Sequence, residues 1–292
     1  MAAQSSAILI AGPTASGKSA LAIEKARESG GFIVNADSMQ VYDVLNVLTA
    51  RPSPAGLAAC DHHLYGHVHP QEDYSTGRWL ADVSALLARP DLAGRTAVFV
   101  GGTGLYFRAL TGGVSDMPDV PAHIREAWRA RLAMEGPEAL HPLLAEADPV
   151  AAARIKRQDG QRIVRALEIR EASGKPISHW QNQFKPSLVD LDKTQRYLLL
   201  PDRALLASRI GLRLRQMVEQ GALEEVRALA ALELNPALPA MKAIGVPEFA
   251  AHLRGETGLE TALTLAGNST RQYAKRQYTW FRNQCGPEWQ HL

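Results

Sequence analysis

The sequence predicts an α/β fold, a parallel sheet flanked by helices and interrupted by an all-helical insertion. Three observations predict it. Short apolar runs at 7–11, 31–35, 96–100 and 195–200 have the length and composition of buried strands. Helical patterns separate them, the alternation that builds a parallel sheet. Between the third and fourth runs lies a long stretch, 122–173, whose pattern is helical throughout. The core is therefore expected over 1–112 and 191–292, with the insertion at 113–190.

The first run, Ala7-Ile-Leu-Ile-Ala11, leads into Gly12-Pro13-Thr14-Ala15-Ser16-Gly17-Lys18-Ser19 and then a helix over 20–27. These residues match G-x-x-x-x-G-K-[ST] in its strand–loop–helix setting, so the core reads as P-loop NTPase-like. The glycines let the backbone wrap around an anion, while N–H groups and the helix N-terminus point at it. Lys18 adds a charge on the outer phosphates, and Ser19 supplies an oxygen for Mg2+, the one cofactor expected. Taken alone, such a loop suggests a nucleotide.

The second run ends in Asn35-Ala-Asp37-Ser38-Met39-Gln40. Ligands gather beyond the carboxyl ends of parallel strands, which puts Asp37 and Ser38 beside the loop. Asp37 is also a favoured helix N-cap, and both roles stay open. Residues 49–78 read as loop. His62, His63, His67 and His69 raise the question of zinc, but no cysteine pair accompanies them, and structural or hydrogen-bonding roles are the stronger reading. Ser75-Thr-Gly-Arg-Trp79 then opens an amphipathic helix over 80–87.

The third run is followed by Gly101-Gly102-Thr103-Gly104, a second glycine turn at a strand end, opening a helix over 105–110. That geometry again faces a ligand, with the Thr103 hydroxyl at hand. A Gly/Pro-rich linker over 111–121 begins the insertion. There, Ile163, Val164 and Leu167 share one helix face and Gln161 and Arg165 the other, with Arg162 flanking. Beyond the fourth run, a helical stretch over 203–231 carries Arg209 and Arg213 one turn apart. Ala243-Ile-Gly245-Val-Pro247 is a turn. In a last helix over 269–284, Arg271, Lys275, Tyr278 and Arg282 fall on one face, and Tyr273, Trp280 and Phe281 on another. A basic stripe of this kind suits a phosphate backbone.

Composition narrows the class. With 292 residues, 46% of them hydrophobic, the chain can bury a full core. A formal charge of +2 is too small to announce nucleic acid, so any basic footprint is local. Two cysteines, Cys60 and Cys285, far apart in the chain, suit a reducing compartment. No segment has the ~20 apolar residues of a membrane span, and no basic region precedes the first apolar run. The expectation is a soluble, cytoplasmic monomer without membrane contact.

The motifs GPTASGKS, NADSMQVY, VGGTGLYF, DGQRIVRALE and STRQYAKRQYTWFRNQ, in this order, resemble the tRNA dimethylallyltransferase (isopentenyltransferase) family over 8–283. Ordinary P-loop kinases do not share the last four. The resemblance implies transfer of a dimethylallyl group from dimethylallyl diphosphate to the exocyclic amino group of the adenine 3′-adjacent to the anticodon, releasing diphosphate. It implies that Gly12 through Ser19 hold the diphosphate, that Asp37 is the general base, and that Lys18 and Thr103 join it in catalysis. The tRNA contacts it carries over fall on Asp37, Ser38, Met39, Gln40, Thr103 and Arg125, and on Gln161, Arg162, Ile163, Val164 and Arg165. Lys242 and Gly245 follow more weakly, because Gly245-Val246 stands where the family often has Gly-Tyr. Arg271, Lys275 and Arg282 complete the tRNA surface. One arginine of the helix after the insertion is expected on the diphosphate, Arg213 by spacing and Arg209 second. Tyr65-Gly66-His67 departs from the usual Ile/Leu-Asp pair, and no Cys/His pattern extends the C-terminus, as in the compact bacterial form. The rival readings are a P-loop small-molecule kinase, a prenyltransferase acting on free adenine nucleotide, and a non-catalytic RNA-binding module.

Overall fold

The computed structural model describes residues 6–181 and 183–292. The chain divides into two compact units, one running up to Thr111 and resuming at Leu188, the other spanning 112–187.

In the first unit, six strands among the described residues form one parallel sheet: β1 (Ala7–Ala11), β2 (Phe32–Asn35), β3 (His62–His63), β4 (Ala97–Gly101), β5 (Gln195–Leu198) and β6 (Gln290–His291). Their spatial order is β3-β2-β4-β1-β5-β6. β1, β2 and β4 are buried along their whole length, which is why their sequences are continuous apolar runs rather than alternating ones. β3 and β6 are two-residue edge strands of polar composition, and no apolar run announces them. Register matters more for the site than sheet size. Ala11 pairs with Gly101, and Asn35 with Val100, so three strands end in one row.

The helices of this unit are α1 (Lys18–Glu28), α2 (Pro54–Ala59), α3 (Thr76–Leu87) and α4 (Gly104–Leu110). The Ser75 hydroxyl caps α3 by accepting the Arg78 N–H at 3.2 Å, an interaction worth about 1 kcal/mol. In the second unit follow α5 (Ala122–Glu135), α6 (Pro137–Ala147), α7 (Pro149–Ala152), α8 (Gly160–Ser173) and α9 (Ile177–Trp180). The first unit resumes with α10 (Arg203–Glu219), α11 (Ala222–Ala230), α12 (Val246–Leu253) and α13 (Leu259–Gln284). The single helical stretch expected over 203–231 is thus two helices, parted at Gly221, whose φ of 103° most residues avoid. α13 starts at Leu259 rather than near 269, because Ala262, Leu263 and Ala266 bury its early turns.

The second unit packs around α8. Ile163 and Val164 are buried there with Leu140, Leu144 and Ile124. The buried Asp148 carboxylate accepts the N–H groups of Ala151 at 3.0 Å and Ser178 at 2.9 Å, capping α7 and fastening α9. In the first unit, the loop after β2 is held by α11. Glu225 accepts the N–H groups of Asn46, Val47 and Leu48 at 3.0, 2.6 and 3.1 Å. No described helix is long and apolar enough to cross a membrane.

Candidate active site at the carboxyl edge of the sheet

Because β1, β2 and β4 run parallel and end together, residues 12–19, 36–38 and 102–103 converge at one edge. The loop after β1 is strained in a useful way. Ala15 has φ 63° and Gly17 has φ 95°, left-handed conformations that turn successive N–H groups to one side. Among the described residues, nothing accepts the N–H groups of Ala15, Gly17, Lys18 or Ser19. The Ser16 hydroxyl is buried and finds no partner in the protein. Gly12 must be glycine for another reason. A Cβ there would stand 2.7 Å from the Leu199 carbonyl oxygen and 2.9 Å from Ser16 Oγ.

Lys18 donates to the Pro13 carbonyl at 3.2 Å. Its ammonium is pushed down to about 8; burial is the largest cause, the Asp37 carboxylate opposes it, and the Arg213 guanidinium adds to it. Burial likewise lowers Arg213, against the pull of Asp37. Lys18, Asp37 and Arg213 therefore form one electrostatic cluster. Arg209, one turn earlier on α10, is exposed and donates to the Ala15 carbonyl at 3.3 Å. Both arginines reach the loop region, and Arg213 is the one coupled to the charges inside it.

Asp37 is held by its own turn. Asn35, fully buried, accepts the Asp37 N–H at 2.8 Å and donates to the Asp37 carbonyl at 2.9 Å and the Leu64 carbonyl at 3.0 Å. Asp37 Oδ1 accepts the Met39 N–H at 3.0 Å. Thr103 closes the arrangement across the strands. Its Oγ1 accepts the Ser38 N–H at 2.9 Å and donates to Ser38 Oγ at 3.3 Å. Burial first, then the Asp37 charge, pushes the phenols of Tyr65, Tyr106 and Tyr273 above their ordinary range.

Gln277 was missed by sequence reasoning. It is a buried residue of α13 that accepts the Thr14 N–H at 2.9 Å and donates to the Gly102 carbonyl at 2.8 Å. A signal was present: Tyr273, Gln277, Trp280 and Phe281 are spaced to share one face, and a glutamine on an apolar face needs buried partners. A cavity of 730 Å³ opens beside the loop at Ser19, walled by Ile23, Ile33, Val47, Tyr65, Arg213 and Met217.

Other sequence-derived candidates separate into exposed and withdrawn groups. Ile163 and Val164 point into the core of the second unit, so the α8 residues that offer polar side chains are Gln161, Arg162 and Arg165. Arg165 is already bonded to the buried Glu168 at 3.3 Å, and Arg162 lies 3.5 Å from Asp159. Gly245 is buried under Leu48 and Phe249, so its φ of 97° serves packing, while Lys242 is exposed. Gln40 is spent on the Thr49 and Ala50 carbonyls at 2.8 and 3.1 Å, and Met39 packs against the core. Arg125 donates to the Val120 carbonyl at 3.3 Å. On α13, Arg271, Lys275 and Arg282 are exposed, whereas Tyr278 lies under the Arg203 guanidinium, 5.1 Å from its ring centroid. The histidines have structural partners: His62 bonds the Cys60 carbonyl at 2.8 Å, His63 packs edge-on to Phe32, His67 contacts Tyr74 and Asp82 at 3.3 Å, and His69 accepts the Gln71 N–H at 3.3 Å.

The lysine carries a pH prediction. An anion in the loop favours charged Lys18, so pyrophosphate binding is expected to weaken above about pH 8, by up to ~10-fold per pH unit, with proton uptake on binding. Titration calorimetry in buffers of different ionisation heat measures both. The stability term has the opposite sense: between about 8 and the ordinary 10.5, the unfolded chain holds a proton the folded one has lost, so this group's contribution rises with pH.

Comparison with known proteins gives the family. The family model described as IPP transferase matches residues 40–284, and that described as isopentenyl transferase matches 5–65. A tRNA dimethylallyltransferase of Chelativorans sp. (strain BNC1) is 61% identical over 98% of this chain and 98% of the relative. One of Rhizobium etli (strain CIAT 652) is 57% identical, over 98% and 96%. Among solved structures, the tRNA isopentenylpyrophosphate transferase of Bacillus halodurans is 30% identical with a TM-score of 0.69, over 99% of this chain and 90% of that one. A eukaryotic dimethylallyltransferase acting on tRNA gives a TM-score of 0.81 at 28% identity, over 95% and 70%. With a phosphate loop, a carboxylate and a threonine at adjacent strand ends, and a family match across most of its length, this chain belongs to the IPP transferase family.

Proposed function

We propose that this chain transfers a dimethylallyl group from dimethylallyl diphosphate to the exocyclic amino nitrogen of the adenine 3′-adjacent to the anticodon in tRNA. The observation that supports this most is the convergence of the phosphate loop with Asp37 and Thr103 at one sheet edge. A phosphoryl-transfer enzyme acting on a small acceptor also uses such a loop with a carboxylate, but it has no use for the exposed basic face that Arg271, Lys275 and Arg282 present on α13.

In the reaction, the adenine nitrogen forms a bond to the allylic carbon as that carbon's bond to the diphosphate oxygen breaks. The amino group becomes acidic as it attacks, and its proton passes to Asp37. Diphosphate departs with its charge held by Lys18, Arg213 and the unpaired loop N–H groups. The buried Ser16 hydroxyl is a further donor within the loop. Apolar walls at Ile23, Ile33 and Met217 offer the five-carbon tail a place out of water. The adenine leaves its stack to reach Asp37, the usual route for chemistry on a base.

A divalent ion bound with the diphosphate would neutralise part of its charge, and Ser19 is the residue that would hold Mg2+ there. Among the described residues no cluster of three or more His, Cys, Asp or Glu side chains is placed to hold a metal. Magnesium retains several waters and needs only one or two protein oxygens beside substrate phosphates, which fits a donor set led by Ser19.

Labelled dimethylallyl diphosphate mixed with unmodified tRNA, AMP or ATP tests the reading. Label is expected in tRNA alone, and label in free nucleotide overturns it. Under the same conditions, Lys275→Ala with Arg282→Ala is expected to weaken tRNA binding several-fold. The double variant should also lower the log–log salt slope by about 1–2, since each lost phosphate contact accounts for roughly 0.7–0.9.

A further inference from the structure

The structure assigns Gln277 a positioning role: we infer that its carboxamide sets the spacing between the diphosphate loop and the glycine turn that carries Thr103. Its two partners are backbone groups of different loops, the N–H of Thr14 after β1 and the carbonyl of Gly102 after β4. Those partners also fix the orientation of the amide, because an N–H needs the oxygen and a carbonyl needs the NH2. The carboxamide presents an acceptor and a donor side by side on one rigid plane, at the end of a side chain long enough to reach both. Glutamate lacks the donor, and asparagine is a methylene short.

The surrounding residues are arranged around this bridge. A Cβ on Gly102 would overlap Gln277 Nε2, and a Cβ on Gly104 would overlap the Trp280 ring, so these two glycines of the turn let α13 press down on it. One turn earlier on the same helix, Tyr273 is close enough to Thr103 and Gln277 for both to act on its phenol. At the other end, Thr14 immediately precedes Ala15, the residue with φ 63°. Holding the Thr14 N–H fixes the loop at its entrance and leaves the later N–H groups turned toward an anion. Gln277 therefore touches neither of the proposed substrates' reacting atoms; it acts through the two loops that do. Transfer requires the departing oxygen and the proton acceptor to be in register at once, and a displacement of about 1 Å can cost ~10²-fold in rate.

The kinetic part of this inference rests on the proposed reaction, and the binding part does not. The test compares Gln277→Leu, which deletes both bonds, with Gln277→Asn, which keeps the amide but withdraws it and guards against a folding failure in the leucine variant. Pyrophosphate binding by calorimetry is expected to weaken about 10-fold in both, and kcat for labelling of tRNA, at saturation, to fall about 10²-fold. The Kd for tRNA should stay within about twofold, since Gln277 is buried. Wild-type pyrophosphate affinity and wild-type kcat per folded molecule would overturn the assignment, as would a loss confined to tRNA affinity. If the native chain binds pyrophosphate but labels no tRNA, the substrate reading fails, and the pyrophosphate comparison alone still decides the role of Gln277.

Discussion

Asp37→Ala is expected to lower the single-turnover rate of dimethylallyl transfer by about 10²–10⁴-fold, the range of a lost general base, with little change in tRNA affinity. The structure explains why the turn should survive. Asp37 gives up one hydrogen bond, from the Met39 N–H, while Asn35 keeps its bonds to the Asp37 N–H and carbonyl and Thr103 keeps the Ser38 N–H. Asp37→Asn separates the two roles open to this residue. Its side-chain oxygen still accepts from Met39, but it takes no proton from the adenine. A rate as low as that of Asp37→Ala identifies the carboxylate as the base; a rate near wild type makes Asp37 a turn residue. Rapid-quench measurement with labelled donor and excess enzyme reads the chemical step directly.

Lys18→Ala is the second large effect, expected to cost about 10²–10³-fold in kcat/KM for dimethylallyl diphosphate at saturating tRNA, comparable to losing a donor to developing negative charge. Lys18 is poised for this. It sits among Asp37 and Arg213, and burial has already lowered its pKa to about 8, so it is under-solvated before any anion arrives. The variant should also lose the alkaline weakening of pyrophosphate binding expected of the native chain. Retention of that pH dependence in Lys18→Ala would assign it to another group.

Much of the sheet was readable because strands buried on both faces must be apolar throughout, and Ala7-Ile-Leu-Ile-Ala11 and Ala97-Val-Phe-Val-Gly101 are. The edge strands were not, since His62-His63 and Gln290-His291 are two-residue polar strands that carry no hydrophobic signature. Asp37 and Thr103 were legible from position, as polar residues just past buried strands. The α8 segment shows the limit of carrying a motif over residue by residue: Ile163 and Val164 stand inside it, yet helical periodicity turns them into the core. Gln277 was hidden for another reason. Its place on an apolar face signals that it needs buried partners, but not which ones, and they lie 263 and 175 residues away.

The division of the chain also sets an order of events during synthesis. The 112–187 unit is continuous, and its helices pack on near neighbours in sequence, so it can fold once it has left the ribosome. The sheet cannot. Ile8 waits for Gln195, and Tyr197 waits for Gln290. β1, β2 and β4 can pair early, but the apolar edge of β1 stays open until β5 emerges, and the buried bridge of Gln277 forms later still. A chain truncated before 195 and released from the ribosome should therefore carry a folded helical unit and an incomplete, sticky sheet, the state in which a chaperone would find it.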